Sequence, residues 1–381
     1  MIHRTLFSEE HELFRSSLRE FIRKEIIPYE EAWEQQGHIS RETWLKAGEM
    51  GFLCPCAPVE YGGSGADFLY AAIMMEELGR SGCMGPGFPL HSDIAAPYII
   101  HYGTEEQKKN WIPKLASGQT ISAIAMTEPS AGSDLQGIKT TAVKEGDHYI
   151  VRGSKTFITN GYMSDLVVVV VRTGAADSGS KAFSLLLMDA GMPGFTKGKL
   201  LKKIGLRSQD TCELFFDQVK VPLTNLLGKE GEGFNYLMQS LPQERLLVGI
   251  LGIAVAETAL EKTIQYTKER ITFGKPVAAY QNTRFKLAEL ATEIQIGQIF
   301  VDKCIELHLK NKLDAATAAM VKYSMSDLQC KVVDECLQFH GGYGYMWEYY
   351  IARAYADSRV QKIYAGSNEI MKEIISKQIF A

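Results

Sequence analysis

The spacing of apolar residues changes twice along this chain, and one packed layer cannot accommodate that succession of patterns. Over about residues 1–117, Leu13, Phe14, Leu18, Phe21, Ile22 and Ile26 recur in steps of three and four, which paints one face of a helix. Pro28, just after Ile27, is placed to disturb or end that helix. Thr104-Glu105-Glu106-Gln107 has capping-box spacing and predicts a second helix start. Tyr61-Gly62-Gly63-Ser64-Gly65 reads as a flexible turn, and residues 81–89 as a Gly/Pro-rich break. Over about 118–226 the character changes. Tyr149-Ile150-Val151 and residues 166–171, 183–188 and 212–221 are rich in β-branched and aromatic side chains. Turn clusters at Asn160-Gly161 and Asp177-Ser178-Gly179 separate them, which predicts a small antiparallel β domain. From about 227 to 381 long helical patterns return. Leu287, Leu290, Ile294, Val301, Ile305 and His308 share a face, and an Ala-rich helix over 314–340 stops at Gly341-Gly342. The expectation is an α+β multi-domain chain: helices, then strands, then helices.

A length of 381 residues suits two or three domains, and 46% apolar with 23% charged residues is a globular balance. A formal charge of −4, with basic residues dispersed, gives no reason to expect nucleic acid or an anionic membrane as partner. The seven cysteines follow no repeated spacing and read as free thiols in a reducing compartment. No HExxH or paired CxxC motif calls for zinc. The longest apolar run, 166–171, is far short of the ~20 residues of a spanning helix. The N-terminus lacks a secretory apolar core. Cytoplasm is the default reading, and a matured organelle-matrix protein would look the same.

Two glycine-bearing segments carry the chemistry. The first runs Ala125-Met126-Thr127-Glu128-Pro129-Ser130-Ala131-Gly132-Ser133-Asp134-Leu135-Gln136-Gly137. Small side chains let a ligand approach the backbone, and hydroxyls with free N–H groups bind polar or anionic atoms. A plain turn has the same composition. The second is Gln338-Phe339-His340-Gly341-Gly342-Tyr343-Gly344-Tyr345, followed by Glu348, Arg353 and Asp357. Its glycines alone are a helix stop.

Together the two strings resemble the two signature patterns of the acyl-CoA dehydrogenase family, at every fixed position and at the family's separation. The resemblance covers essentially the whole chain and implies an N-terminal helical domain (1–117), a middle β domain (118–226) and a C-terminal four-helix bundle (227–381). It implies FAD between the β domain and the C-terminal helices. Ile124, Ala125, Met126, Thr127, Gly132 and Ser133 match the wall against the flavin ring, and Ser133 also matches a CoA contact. Phe157, Ile158 and Thr159 match an element that packs on the flavin and hydrogen-bonds it. Arg270, Thr272, Phe273 and Gln281 match residues that reach the pyrophosphate and adenine of a neighbouring subunit's FAD, where an arginine fork suits a diphosphate. Gln338, Phe339, His340, Gly341 and Gly342 match a second cross-subunit contact, and Ser367, Asn368 and Glu369 match positions beside the cofactor. These roles imply a homo-oligomer, usually a homotetramer built as a dimer of dimers. The implied electron acceptor is an electron-transferring flavoprotein.

In most members a glutamate after the second signature removes the α-proton. That position holds Ala365, which cannot accept a proton. The long-chain and isovaleryl members carry the base on an earlier helix, and Leu241-Pro242-Gln243-Glu244-Arg245-Leu246 resembles the long-chain type. Spacing supports Glu244 independently. Leu237, Leu241, Glu244, Val248, Leu251 and Val255 alternate steps of four and three, the buried seam of a helix, and Glu244 takes an apolar place in it. A carboxylate there is costly unless paired or raised in pKa, and a raised pKa suits a base facing a weak carbon acid. Glu369, at the start of the final helix, is the rival carboxylate, and the helix dipole accounts for it. The backbone N–H of Ala365 is implied to hold the thioester carbonyl. Gln243, Arg245, Tyr364 and Gly366 are expected to border the substrate. The implied reaction is α,β-dehydrogenation of a long-chain or methyl-branched acyl-CoA. The competing readings are an acyl-CoA oxidase or flavin monooxygenase on the same fold, or a catalytically inactive acyl-CoA-binding relative.

Overall fold

The computed structural model describes residues 2–380. It opens with α1 (Glu9–Glu25), α2 (Glu30–Gln36), α3 (Arg41–Glu49), α4 (Phe68–Ser81), α5 (Ala96–Tyr102) and α6 (Glu105–Ala116). A sheet follows, made of β1 (Ser122–Ala125), β2 (Thr141–Glu145), β3 (His148–Thr159), β4 (Leu166–Arg172), β5 (Phe183–Asp189), β6 (Phe195–Leu200), β7 (Thr211–Pro222) and β8 (Leu226–Leu227). The chain then returns to helices: α7 (Gly233–Glu269), α8 (Gln281–Leu309), α9 (Ala315–His340), α10 (Tyr350–Ser358) and α11 (Asn368–Ile379). A short ribbon, β9 (Ile271–Thr272) against β10 (Lys275–Pro276), joins α7 to α8. Among the described residues no helix is long and apolar enough to cross a membrane.

Helix ends follow local chemistry. Glu9, Glu10 and Glu12 sit in the first turn of α1 and Arg23 and Lys24 in its last, matching the helix dipole. A 3₁₀ turn around Pro28 ends it. Its stripe buries Leu18, Phe21, Ile22 and Ile26, but Leu13 stays 65% exposed. The inward place goes to Arg15, whose Nη1 meets Glu76 at 2.7 Å and Glu77 at 3.1 Å on α4. Thr104 and Gln107 form the expected capping box at α6, and Asp314 caps α9 through the Ala316 and Thr317 N–H groups. The 61–65 turn is tighter than its glycines imply. Ser64 N–H bonds the Pro55 carbonyl and Gly65 N–H the Ala57 carbonyl, and a Cβ on Gly63 would stand 2.1 Å from the Ala57 oxygen.

The sheet runs β6-β7-β3-β2-β4-β5-β8 and pairs mostly antiparallel. Two contacts are parallel: β1 lies along β4 from Ser122↔Leu166 to Ala125↔Val169, and β2 touches β4 at one residue pair. Strand β4 is apolar without alternation because both its faces are covered. Leu166, Val168 and Val170 pack under the N-terminal helices, while Val167, Val169 and Val171 pack into the sheet's other core. In the C-terminal region α7, α8, α9 and α11 pack around one another. Gly249 and Gly252 let α7 approach α9, since a Cβ there would stand 2.9 Å from Val321 and 3.0 Å from the Met325 carbonyl.

Candidate active site

A cavity of about 510 Å³ opens where sheet and helices meet. Its wall includes Met75 and Leu78 of α4, Leu90 and Ile94, and Leu241, Glu244, Arg245, Val248 and Leu251 of α7. The β side contributes Ile124, Met126, Thr127, Gly132, Ser133, Phe157, Ile158 and Thr159, and the segment before α11 contributes Tyr364, Ala365 and Gly366. Ala125 is fully buried and does not reach the cavity.

The loop after β1 is held from behind. The Glu128 carboxylate accepts the Lys139 N–H at 2.7 Å and the Thr140 N–H at 2.9 Å. Lys155 Nζ bonds both Glu128 Oε1 and the Met126 carbonyl at 2.9 Å. Burial pushes the Lys155 ammonium down to about 8, against the opposing pull of Glu128. The Thr127 carbonyl takes the Thr156 N–H. Beside it, β3 slips against β7 between Lys155 and Ile158. Such a bulge re-aims a side chain. Here it leaves Phe157 at φ +58° and 68% exposed, while Ile158 is buried in the sheet core.

Glu244 is 6% exposed, and its Oε1 accepts the Tyr98 hydroxyl at 2.8 Å. Burial pushes its carboxyl up to about 7, while Tyr98 and the Arg245 charge pull it back down. Arg245 is buried too, its own pKa lowered by desolvation, and its Nε has no partner among the described residues. Ala365 stands at φ +52°, and its N–H finds no acceptor among the described residues. Lys322 Nζ pins the next turn through the Gly366 carbonyl at 2.7 Å and Asn368 Oδ1 at 2.9 Å.

Several sequence-chosen residues lie elsewhere. Gln243 donates to the Asp93 carbonyl and is not in the cavity wall. Ser367 caps α11, Asn368 is buried against Ser326 and Asp327, and Glu369 is exposed in the first turn of α11. None of those three lines the cavity. Arg270, Thr272, Phe273 and Gln281 cluster at the β9–β10 ribbon and the start of α8, with Phe273 98% exposed at φ +49°. They adjoin the end of α9, where Arg270 approaches the Tyr343 ring and Tyr266 stacks on His340 at 4.2 Å. Gln338, Gly341 and Gly342 are exposed there, Phe339 is half-buried, and His340 Nδ1 meets the Cys336 carbonyl at 2.9 Å. The two motif segments thus meet at a second surface, away from the cavity.

Sequence reasoning missed Tyr98, Lys155 and Lys322. The trace of Tyr98 was its four-residue spacing from Tyr102. The trace of Lys155 and Lys322 was a lysine inside a strand or helix core, a sign that needs its partner to be read.

A cavity with a buried carboxylate, beside an exposed aromatic ring and unused N–H donors, suits proton removal from a weak acid next to a planar group. The chain matches models of the acyl-CoA dehydrogenase N-terminal domain over residues 8–119, the middle domain over 123–219 and the C-terminal domain over 231–380. It is 53% identical over 377 residues to the mitochondrial long-chain specific acyl-CoA dehydrogenase of Rattus norvegicus, covering 99% of this chain and 88% of that protein. The solved acyl-CoA dehydrogenase of Geobacillus kaustophilus superposes with a TM-score of 0.97 at 50% identity, covering 100% of both chains. An acyl-CoA dehydrogenase from Bacillus anthracis, solved in complex with FAD, gives 0.92 at 32% identity over 98% of this chain and 68% of that one. The chain belongs to the acyl-CoA dehydrogenase family. Its cofactor is FAD and its reaction the α,β-dehydrogenation of an acyl-CoA thioester. The residues present fit that cofactor. Phe157 offers an exposed face, a Cβ on Gly132 would meet nothing within 4 Å, and among the described residues the Arg245 Nε and Ala365 N–H have no hydrogen-bond partner.

Proposed function

We propose that this protein oxidises long-chain acyl-CoA, straight or methyl-branched, with Glu244 as the base. The observation that carries the reading is the buried Glu244 carboxylate in the cavity wall, held at one oxygen by Tyr98 and pushed up to about 7. Asp134, the cavity's other carboxylate, is exposed. The Ala365 N–H receives the thioester carbonyl and stabilises the developing enolate charge. Glu244 Oε2, free of Tyr98, takes the α-proton. Bound FAD supplies the acceptor for the β-hydride. Phe157, Met126, Thr127 and Thr159 flank the ring and keep water from it. Ser133, exposed at the rim, meets the CoA portion. The apolar lining from Met75, Leu78, Val248 and Leu251 takes the chain.

The same proposal divides the chain at about residues 117 and 226. It places the Arg270–Gln281 and Gln338–Gly342 surface against a neighbour's cofactor in a homotetramer. The near-complete exposure of Phe273 supports a covered role for that surface. Electrons leave to an electron-transferring flavoprotein. The setting is the cytoplasm or an organelle matrix.

Replacing Glu244 by Gln tests the base. FAD content and yellow colour should persist while turnover falls by roughly 10²–10⁴. Full activity in that variant would overturn the assignment. Sedimentation of the holoenzyme tests the tetramer.

A further inference from the structure

Lys155 and Lys322 are both fully buried. Lys155 pairs with Glu128 at 2.9 Å. Lys322, on α9, meets only neutral acceptors: the Gly366 carbonyl at 2.7 Å and Asn368 Oδ1 at 2.9 Å. Among the described residues no carboxylate forms an ion pair with it. Asp327, on the same helix, accepts the Asn368 Nδ2 at 3.0 Å and pairs with Lys362 at 2.7 Å. Glu369 is exposed in the first turn of α11. A second cation approaches from α7. Arg245 Nη2 stands 4.0 Å from the point a Cβ on Gly366 would occupy, and among the described residues the Arg245 Nε has no hydrogen-bond partner. Burial, and then the Arg245 charge, push the Lys322 ammonium down to about 8, which leaves it charged at neutral pH. Burying an unpaired cation is costly, and a neutral donor would anchor the Gly366 carbonyl as well. What the two cations flank is the Ala365–Gly366 turn, left-handed at both residues with φ +52° and +89°.

We propose that Lys322 is a positioning residue for enolate formation: it holds the Ala365 turn and, with Arg245, supplies the positive field in which the thioester oxygen becomes negative. This rests on the Ala365 N–H receiving that oxygen and on Glu244 being the base. In the step the α C–H bond breaks, its proton bonds to Glu244, and its electron pair moves to the thioester oxygen. Negative charge thereby leaves Glu244, next to Arg245, and appears at the turn that Lys322 holds. The net charge of the site is unchanged, and the fixed cations need no rearrangement as the charge moves. A carboxylate paired to Lys322 would cancel the field where the charge arrives, which accounts for a neutral amide at Asn368.

The test uses holoenzyme and an acyl-CoA with sulfur in place of the β-carbon, which can give up an α-proton but has no hydride to transfer. Its enolate beside oxidised flavin gives a long-wavelength absorbance, and the pH midpoint of that band reports the acidity of the α-proton. Lys322→Gln removes the charge. Asn368→Asp gives Nζ the carboxylate it lacks and leaves the ammonium on Gly366. Both should raise the midpoint by about one pH unit or more, a ten-fold weaker enolate. A purely structural role would move the midpoint in Lys322→Gln alone. An Asn368→Asp midpoint equal to that of the parent enzyme would therefore overturn the proposal, and this variant decides it even where Lys322→Gln fails to retain FAD. Two other results would overturn the underlying reading instead. Flavin bleaching by an ordinary acyl-CoA at the parent rate in Glu244→Gln would remove the base. An infrared stretch of an isotope-labelled thioester carbonyl that does not shift down on binding the parent enzyme would remove the Ala365 contact.

Discussion

The Lys155 ammonium lies 2.9 Å from both Glu128 Oε1 and the Met126 carbonyl, with both charged side chains buried. One strand lysine therefore fixes the loop that forms the β-side wall of the cavity. Removing either charge strands the other in a low-dielectric site.

Replacing Lys155 by Met is expected to destabilise the protein by about 3–5 kcal/mol, as breaking a buried pair does. Because Met126 and Thr127 lose their tether, FAD retention should fall with it. Thermal unfolding and the flavin-to-protein absorbance ratio check both. An unchanged ratio would separate the pair from cofactor binding.

Glu244 must be ionised to act, and burial pushes its carboxyl up to about 7. The rate of flavin bleaching should therefore rise with pH through about 7. Tyr98 donates to the ionised form and Arg245 favours it by charge, so both hold the midpoint down. Tyr98→Phe should move the rising limb upward by about one pH unit, the worth of a hydrogen bond to a charged group. A limb that stays in place would show that the phenol does not bear on the carboxylate.

Gly366 follows Ala365 at φ +89°, and a Cβ there would stand 2.7 Å from Met371 Cε. Gly366→Ala should cost roughly 1–2 kcal/mol from the left-handed backbone alone. The shift in the turn carries the Ala365 N–H with it. Turnover should fall by about ten-fold or more with FAD still bound, because an oxyanion donor tolerates little displacement. Stopped-flow reduction of the variant checks this.

Val248 is one helical turn beyond Glu244 and lines the cavity. Val248→Phe should shorten the chain the cavity accepts. With sixteen-carbon substrates kcat/KM should drop about ten-fold relative to eight-carbon ones, the scale on which apolar pockets discriminate. An equal loss for both lengths would place the acyl arm elsewhere.

The order of helices, strands and helices was legible in the sequence because apolar period reports secondary structure directly. Glu244 was legible for the same reason, as a carboxylate on a seam of apolar residues. The apolar run of β4 marked a strand, but not that both its faces would be covered or by which elements. Leu13 shows the limit of a face drawn from spacing: the inward place went to Arg15 once Glu76 and Glu77 were there to meet it. Polar partners from distant segments have no local signature. Tyr98 is 146 residues from Glu244, and Lys155 is 27 from Glu128. The sequence determined the class of fold and where a carboxylate would be buried. The tertiary structure decided what surrounds that carboxylate, and so its proton affinity, because desolvation and a phenol from another helix act only once the chain has packed.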